Sequence, residues 1–332
     1  MMKDVFVVAD NIVSPVSLSS TGNFQALASG QSGIALHEQP ALSPVPVYAS
    51  LMGADAMQTV ADGVGNPSFT KFEQLLAYSI AAAVQQSSIR LSDPSTIMVI
   101  SSTKGNIALL ENEPAPGATT REAIGLGSSA KKLAAHFSLA HTPVIISNAC
   151  ISGITALLTA KRLLETGQYK HAVVTGADVI SAFVVSGFQS FQAISQQPCR
   201  PFDAARNGIN LGEAAATIVL STQPGERAVQ VSGGGVTNDA NHISGPSRSG
   251  QELCMGINRA LKEASLNAGD IGFISAHGTA TIYNDEMEAK AFSLAGLSAV
   301  PLNSLKGYYG HTLGAAGLVE SVIALQTLQQ GT

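Results

Sequence analysis

Long apolar runs, paired cysteines and clustered basic residues are all missing from this chain, and each absence removes a class of function. No stretch of about eighteen or more apolar residues occurs, so no segment reads as a membrane-spanning helix. The N-terminus runs from Met1-Met2-Lys3-Asp4 straight into a strand-like segment without the shape of a signal peptide, which predicts a cytoplasmic protein. Three cysteines, Cys150, Cys199 and Cys254, are odd in number and far apart, and no CxxC pair is present. That speaks against a disulfide framework, a zinc motif or a redox motif, and predicts reduced thiols. The net charge is −5 with no basic tract, which gives no support for nucleic-acid binding. Only 12 % of the 332 residues are charged and 45 % are apolar, enough to bury a large core.

What is present is a layered alternation. Short runs rich in Val and Ile at 4–9, 96–101, 143–147, 171–175 and 215–221 alternate with stretches in helical spacing, the pattern of an α/β protein. A second series of strands is expected at 228–232, 272–275 and 299–302, with helices at 71–87, 152–166, 251–266, 285–294 and 313–329. The second series follows the order of the first, so the chain reads as two duplicated α/β halves, 1–222 and 223–332. Each half turns from its third strand into a very apolar helix, and Cys150 and His311 fall at matching places just before those helices. Two helix N-termini are then expected to point toward one site. The first half offers five strands and the second three, so the second half is expected to lack its last two strands. A sheet without them leaves an exposed edge, so either the natural chain continues past Thr332 or another chain completes the sheet.

Cys150 stands where Pro143-Val144-Ile145-Ile146-Ser147 gives way to Asn148-Ala149 and then to a helical pattern. A free thiol is only about 3 % ionised at neutral pH, and a helix N-terminus can favour an anion by up to ~2 kcal/mol, which would bring the thiol close to half ionised. Taken alone, a cysteine in an apolar run is more often a small packed side chain. Two histidine stretches change that balance. Ala276-His277-Gly278-Thr279-Ala280-Thr281 directly follows a strand-like run, and α/β proteins place ligands at the C-terminal ends of strands. Asn303-Ser304-Leu305-Lys306-Gly307-Tyr308-Tyr309-Gly310-His311 sets a lysine and a second histidine ahead of the last helix, on glycines that allow tight turns. Either histidine alone reads more readily as surface or hydrogen-bonded structure. The hydroxyls of Thr279 and Thr281 could equally serve their own loop. Lys131-Lys132 and Lys161-Arg162 are the densest basic pairs, able to receive an acidic partner or to solvate a helix face. His242, in Asn238-Asp239-Ala240-Asn241-His242, is read as structural.

Together these motifs resemble those of the β-ketoacyl-acyl carrier protein synthases, elongating condensing enzymes of fatty acid and polyketide synthesis with a thiolase-like fold. Asn148-Ala149-Cys150-Ile151-Ser152-Gly153 is similar to the family's active-site cysteine signature, and His277-Gly278-Thr279 to its first histidine motif. Lys306 with Gly310-His311 is similar to its lysine and second histidine motifs, and Arg200-Pro201-Phe202-Asp203 with Arg206, Gly208, Gly212 and Glu213 adds a further match. One cysteine with two histidines resembles the elongating pattern, as against an asparagine in chain-starting enzymes or a second cysteine in degradative thiolases. The resemblance implies a layered α-β-α-β-α arrangement and a decarboxylative Claisen condensation. An acyl thioester held on Cys150 would be extended by malonyl-acyl carrier protein to a 3-ketoacyl-acyl carrier protein. Catalytic roles are implied for Cys150, His277, His311 and Lys306, with Thr279 and Thr281 against the pantetheine arm. No metal is implied, and no cofactor beyond the phosphopantetheine arm that arrives on the carrier protein. Acyl carrier protein is the implied partner, and the implied assembly is a homodimer or a heterodimer with a ketosynthase-like chain.

The chemistry accounts for these residue types. A cysteine thiolate is both a strong nucleophile and a competent leaving group. Two neutral histidines can each donate an N–H as negative charge builds on the malonyl thioester oxygen. A helix N-terminus and the Lys306 cation would hold both imidazoles neutral, and Lys306 is expected to pair with Glu288 as its supporting carboxylate. Ala214 and Ala280 stand where the family usually has glycine, which suggests a divergent subfamily. The family also carries a C-terminal loop whose N–H joins that of Cys150 in an oxyanion hole. If the chain truly ended at Thr332, condensation would be weak or absent, since one lost oxyanion donor costs ~3 kcal/mol. A malonyl decarboxylase or thioester hydrolase using the same site, and a noncatalytic or truncated ketosynthase-like subunit, are the alternative readings.

Overall fold

The structure, a computed structural model, describes residues 3–112, 121–225, 229–240 and 245–331, and His242 lies outside them. In chain order the strands are β1 (Phe6–Val13), β2 (Ala35–His37), β3 (Val47–Ser50), β4 (Thr96–Ser101), β5 (Val144–Ile146), β6 (His171–Asp178), β7 (Leu211–Gly212), β8 (Ala214–Ser221), β9 (Val229–Gln230), β10 (Ile274–Ser275) and β11 (Leu302–Asn303). The α-helices are α1 (Ser20–Ala28), α2 (Ala54–Val64), α3 (Lys71–Val84), α4 (Arg121–Ile124), α5 (Leu126–His136), α6 (Ser152–Glu165), α7 (Ala182–Ser190), α8 (Gln251–Ala264), α9 (Ile282–Leu294), α10 (Lys306–Tyr309) and α11 (Ala316–Gln330). None of these helices is long and apolar enough to cross a membrane.

The five Val- and Ile-rich runs of the first half, joined at one edge by β9, assemble one six-stranded sheet, ordered β5-β4-β6-β8-β1-β9. β4 pairs in parallel with β5 and β6, while β8 runs antiparallel to both β6 and β1. Every residue of β4 and β8 is buried, as unbroken apolar strands require when helices cover both faces. On one face α3 and α5 bring Phe72, Leu75, Ile80 and Leu133 against Met98, Val173 and Val219. On the other, α6 and α11 bring Leu164, Leu318 and Val322 against Val99, Val174 and Ile218. α11 also touches β10, which pairs in parallel with β11, and α8 and α9 close the far side around Phe292 and Leu297. The order of layers is the expected α-β-α-β-α.

The two central helices meet through glycine. A Cβ on Gly153 would lie 2.9 Å from the backbone N of Leu318, and a Cβ on Gly317 would lie 3.0 Å from that of Ile154. The reciprocity of Gly153-Ile154 with Gly317-Leu318 is what duplicated halves produce, and it sets the starts of α6 and α11 beside each other.

The second half departs from the expected repeat. The strand expected at 228–232 appears as β9, and it adds antiparallel to β1 in the first sheet instead of opening a second one. Val229 and Val231 pack on the core shared by that sheet and α11, so burial rather than repeat order decides the pairing. Among the described residues the second sheet consists of β10 and β11 alone. The small sheet β2-β3-β7 has no counterpart in the sequence reading, because strands this short leave too few residues for periodicity to register.

Candidate active site

Cys150, the expected nucleophile, is presented by a strained turn. Between β5 and α6 the chain passes through Ala149, whose φ of 46° is left-handed without being glycine. Such a residue costs of order 1–3 kcal/mol and persists only where its surroundings hold it. Ser152 does the holding: its Oγ accepts from the Asn148 N–H at 2.7 Å and donates to the Ala149 carbonyl at 2.7 Å. Cys150 is left at the mouth of α6, as the sequence predicts.

A second strained turn, in the other half, answers it. Leu313 has a φ of 51°, and its N–H donates to His311 Nδ1 at 3.3 Å. A nitrogen that accepts carries no proton, so the neutral ring holds its hydrogen on Nε2. That Nε2 lies 2.9 Å from Cys150 Sγ. His277 is arranged alike. Its Nδ1 is 3.1 Å from Lys306 Nζ, an ammonium with only hydrogens to offer, so here too the ring proton sits on Nε2. The two imidazoles stand edge to face with centroids 5.1 Å apart. Sγ and one ring nitrogen from each histidine fall within 4.8 Å of one another. The three residues that sequence reasoning drew from remote segments therefore converge.

Three such atoms invite comparison with a metal site, yet the outer shell is built the other way. A metal-bound imidazole passes its second N–H to an acceptor. Both Nδ1 atoms here face donors, the Leu313 N–H and the Lys306 ammonium. The arrangement is suited to offering two N–H groups to an oxygen that gains negative charge.

Burial holds both imidazoles well below the ordinary histidine value, and the Lys306 cation adds to it. Cys150 corrects an expectation. Burial pushes its thiol up, outweighing the opposing field of Lys306, so desolvation prevails where the helix terminus alone predicts a lowered value.

Lys306 corrects another. It is buried, but its Nζ meets Glu320 Oε1 at 2.6 Å, not Glu288. Glu288 stands behind the His277 loop and accepts the His277 N–H at 2.9 Å and the Gly278 N–H at 2.6 Å. Burial pushes its carboxyl up to about 7. Sequence reasoning misses Glu320 altogether. The signal was a lone carboxylate within the buried apolar run of α11, a position that charged residues occupy only with a partner. Thr279 and Thr281 hydrogen-bond each other at 2.8 Å. Ala280 between them takes a φ of 58°, so the methyl group stands in a left-handed turn. Asp285 accepts the Phe202 N–H at 2.8 Å and thereby ties the Arg200-Pro201-Phe202-Asp203 stretch to this loop.

The basic pairs are half committed inside the fold. Lys132 bonds the buried Glu73, and Lys161 is enclosed by Glu165 and Glu263. That leaves Lys131 and Arg162 as the members able to meet an acidic partner.

The profile of the β-ketoacyl synthase N-terminal domain matches residues 2–224, and that of the β-ketoacyl synthase C-terminal domain matches residues 228–332. The chain is 28 % identical, over an alignment of 358 positions, to 3-oxoacyl-[acyl-carrier-protein] synthase 2 of Vibrio cholerae, covering 98 % of this chain and 86 % of that one. Among solved structures it is similar to the ishigamide ketosynthase/chain length factor, with a TM-score of 0.87 and 22 % identity over 100 % of this chain and 87 % of the other. It is also similar to a ketosynthase in complex with its chain length factor from Xenorhabdus doucetiae, with a TM-score of 0.84 and 24 % identity over 99 % and 85 %.

Proposed function

The chain belongs to the β-ketoacyl synthase family, and from that premise we propose that it condenses an acyl thioester held on Cys150 with malonyl-acyl carrier protein. Carbon dioxide is lost and 3-ketoacyl-acyl carrier protein is formed, in fatty acid or polyketide-type synthesis. The observation that carries this reading is the pair of imidazoles whose Nδ1 atoms are each met by a donor from behind, with one nitrogen of each ring and the Cys150 sulfur within 4.8 Å of one another.

In the first half-reaction the Cys150 thiol gives up its proton and Sγ attacks the carrier-bound thioester. The C–S bond to the carrier breaks, and the departing thiolate takes up that proton. The His311 Nε2–H and the start of α6 stabilise the charge on sulfur. In the second, the bond from the malonyl carbon to its carboxylate breaks, and the electron pair passes to the thioester oxygen. Both imidazole N–H groups donate to that oxygen. The carbanion carbon then attacks the acyl group on Cys150, and the Cys150 thiolate leaves. Neutral imidazoles do not protonate the carbanion, and Lys306 serves by keeping them neutral rather than by passing a proton.

Acyl carrier protein is the proposed source of both substrates, its phosphopantetheine arm passing Thr279 and Thr281; no metal or other cofactor takes part. A homodimer is the proposed assembly. The chain length factor bound to the similar ketosynthase of Xenorhabdus doucetiae favours a ketosynthase-like chain as the alternative partner. A cytoplasmic location fits the three free cysteines, which a reducing compartment preserves.

Incubation with acyl-carrier protein is expected to add the acyl mass to Cys150, and Cys150→Ala to abolish the adduct. Malonyl-carrier protein is then expected to release carbon dioxide and yield the lengthened chain. Wild-type protein that stays unmodified favours a noncatalytic subunit, and an adduct that is hydrolysed without extension favours a thioesterase.

A further inference from the structure

Asp178 ends β6, the strand beside β4 in the large sheet, and is completely buried. A buried carboxylate without a cation costs several kcal/mol unless hydrogen bonds replace its hydration. Among the described residues no basic side chain forms an ion pair with it. Five donors surround it instead. Ser102 Oγ and the Lys104 N–H reach Oδ1 at 2.7 and 2.9 Å. Thr103 Oγ1, the Thr103 N–H and the Gly314 N–H reach Oδ2 at 2.8, 3.0 and 2.7 Å. Four of these belong to the turn after β4. The fifth comes from the other half of the chain.

Gly314 is held from a second side, by the Ser101 hydroxyl donating to its carbonyl at 3.0 Å. A Cβ on Gly314 would lie 2.8 Å from Asp178 Oδ2, so the clamp also fixes which residue can stand there. The residue just before the clamped glycine is Leu313, whose left-handed φ is the least favourable feature of this turn and whose N–H meets His311 Nδ1.

We infer that Asp178 is a positioning residue for the condensation: by pinning Gly314 it keeps Leu313 in the left-handed turn whose N–H forces the His311 proton onto Nε2, toward Cys150. The inference rests on the proposed role of His311 as an N–H donor. The charged and titratable groups around His311 are Cys150 from the β5–α6 turn, His277 from the loop after β10, and Lys306 with Glu320 behind it. Asp178 is added through Gly314, Lys104 lies on the Cys150 side, and Glu288 stands behind His277.

The test uses the full chain and reads the tautomer before it reads the rate. In ¹⁵N-histidine NMR, with the signal assigned by its loss in His311→Gln, wild type is expected to show His311 protonated on Nε2 alone. Asp178→Asn turns an amide N–H toward groups that themselves donate. It is expected to give a mixture of tautomers and to slow malonyl decarboxylation by about ten- to a hundredfold. The acid limb of the rate is expected to move up by about one pH unit, because a freed Nδ1 takes up a proton more readily. Loss of a buried negative charge alone would move that limb down. Ser101→Ala loosens the same clamp by one hydroxyl and is expected to give the same changes at smaller size, which covers failure of Asp178→Asn to fold. An unmixed Nε2–H tautomer in both variants, or an acid limb that stays or moves down, overturns the inference. A wild-type His311 protonated on Nδ1 overturns the reading of the site itself.

Discussion

Lys161 and Lys306 are both almost fully buried, 2 % and 1 % exposed, and they are put to opposite uses. Lys161, on α6, ends between Glu165 of its own helix and Glu263 of α8, each at 2.5 Å. Burial works against its charge, but the two carboxylates prevail and hold its pKa above the ordinary lysine value. Its field is cancelled where it arises, so it acts as a strut between α6 and α8. Lys306 has one carboxylate, Glu320, and gives another hydrogen to an imidazole. Its field reaches His277, His311 and Cys150. How many carboxylates a buried lysine is given, and not how deeply it is buried, separates the cation that serves as a strut from the one whose field reaches Cys150, His277 and His311.

Removing each cation is the strongest way to break that comparison. Lys306→Met is expected to slow malonyl decarboxylation by about a hundredfold or more, since His277 loses the group that fixes its donor proton. Lys161→Met is expected to lower stability by about 3 kcal/mol while leaving the rate within about twofold. Single-turnover release of carbon dioxide, read beside urea denaturation, separates the two; equal losses of rate sink the distinction. A smaller effect sharpens it. Burial pushes the Cys150 thiol up and Lys306 is the foremost influence pulling it back. Alkylation of Cys150 by iodoacetamide should therefore inflect above the ordinary thiol range in wild type, still higher in Lys306→Met, and at the wild-type position in Lys161→Met.

The contrast between the lysines also marks where sequence reasoning stops. Cys150, His277, Lys306 and His311 are legible because each follows an apolar run at a turn, where the spacing of the chain and the chemistry of the side chain coincide. The four long strands β1, β4, β6 and β8 are legible for the same reason, since their apolar runs admit few other readings, and the three-residue β5 is legible through the Val144-Ile145-Ile146 run that leads into Cys150. The partner of Lys306 is not, because the choice between Glu288 and Glu320 depends on which helix stands behind which loop. Nor is the direction of the Cys150 shift. A helix terminus is a local feature that can be read along the chain, whereas desolvation depends on everything packed around the sulfur. β9 fails in the same way, as Val229 and Val231 find their burial against the neighbouring half.

Glu288 extends the comparison to a carboxylate that bonds backbone N–H groups and no lysine, and its effect is the smallest of the set. Burial raises its pKa from 4.5 to about 7, so the folded protein keeps a proton that the unfolded chain releases. The stability it contributes is fully present below the unfolded value and is lost as pH rises through about 7. The two histidines act with the opposite sign. Their folded values lie well below 6.5, so the unfolded chain binds protons that the fold refuses, and stability falls as pH drops below that value. Through mildly acidic pH the two contributions oppose each other and flatten the profile. Glu288→Gln removes one of them. It is expected to lower stability by about 1 kcal/mol through a lost backbone hydrogen bond, yet to make stability climb more steeply between about pH 5 and 7. Urea midpoints across that range measure both. Parallel profiles for wild type and Glu288→Gln would mean that Glu288 titrates as an ordinary carboxylate, and that a buried carboxylate on this loop is held by its two N–H donors as firmly as others are held by lysine.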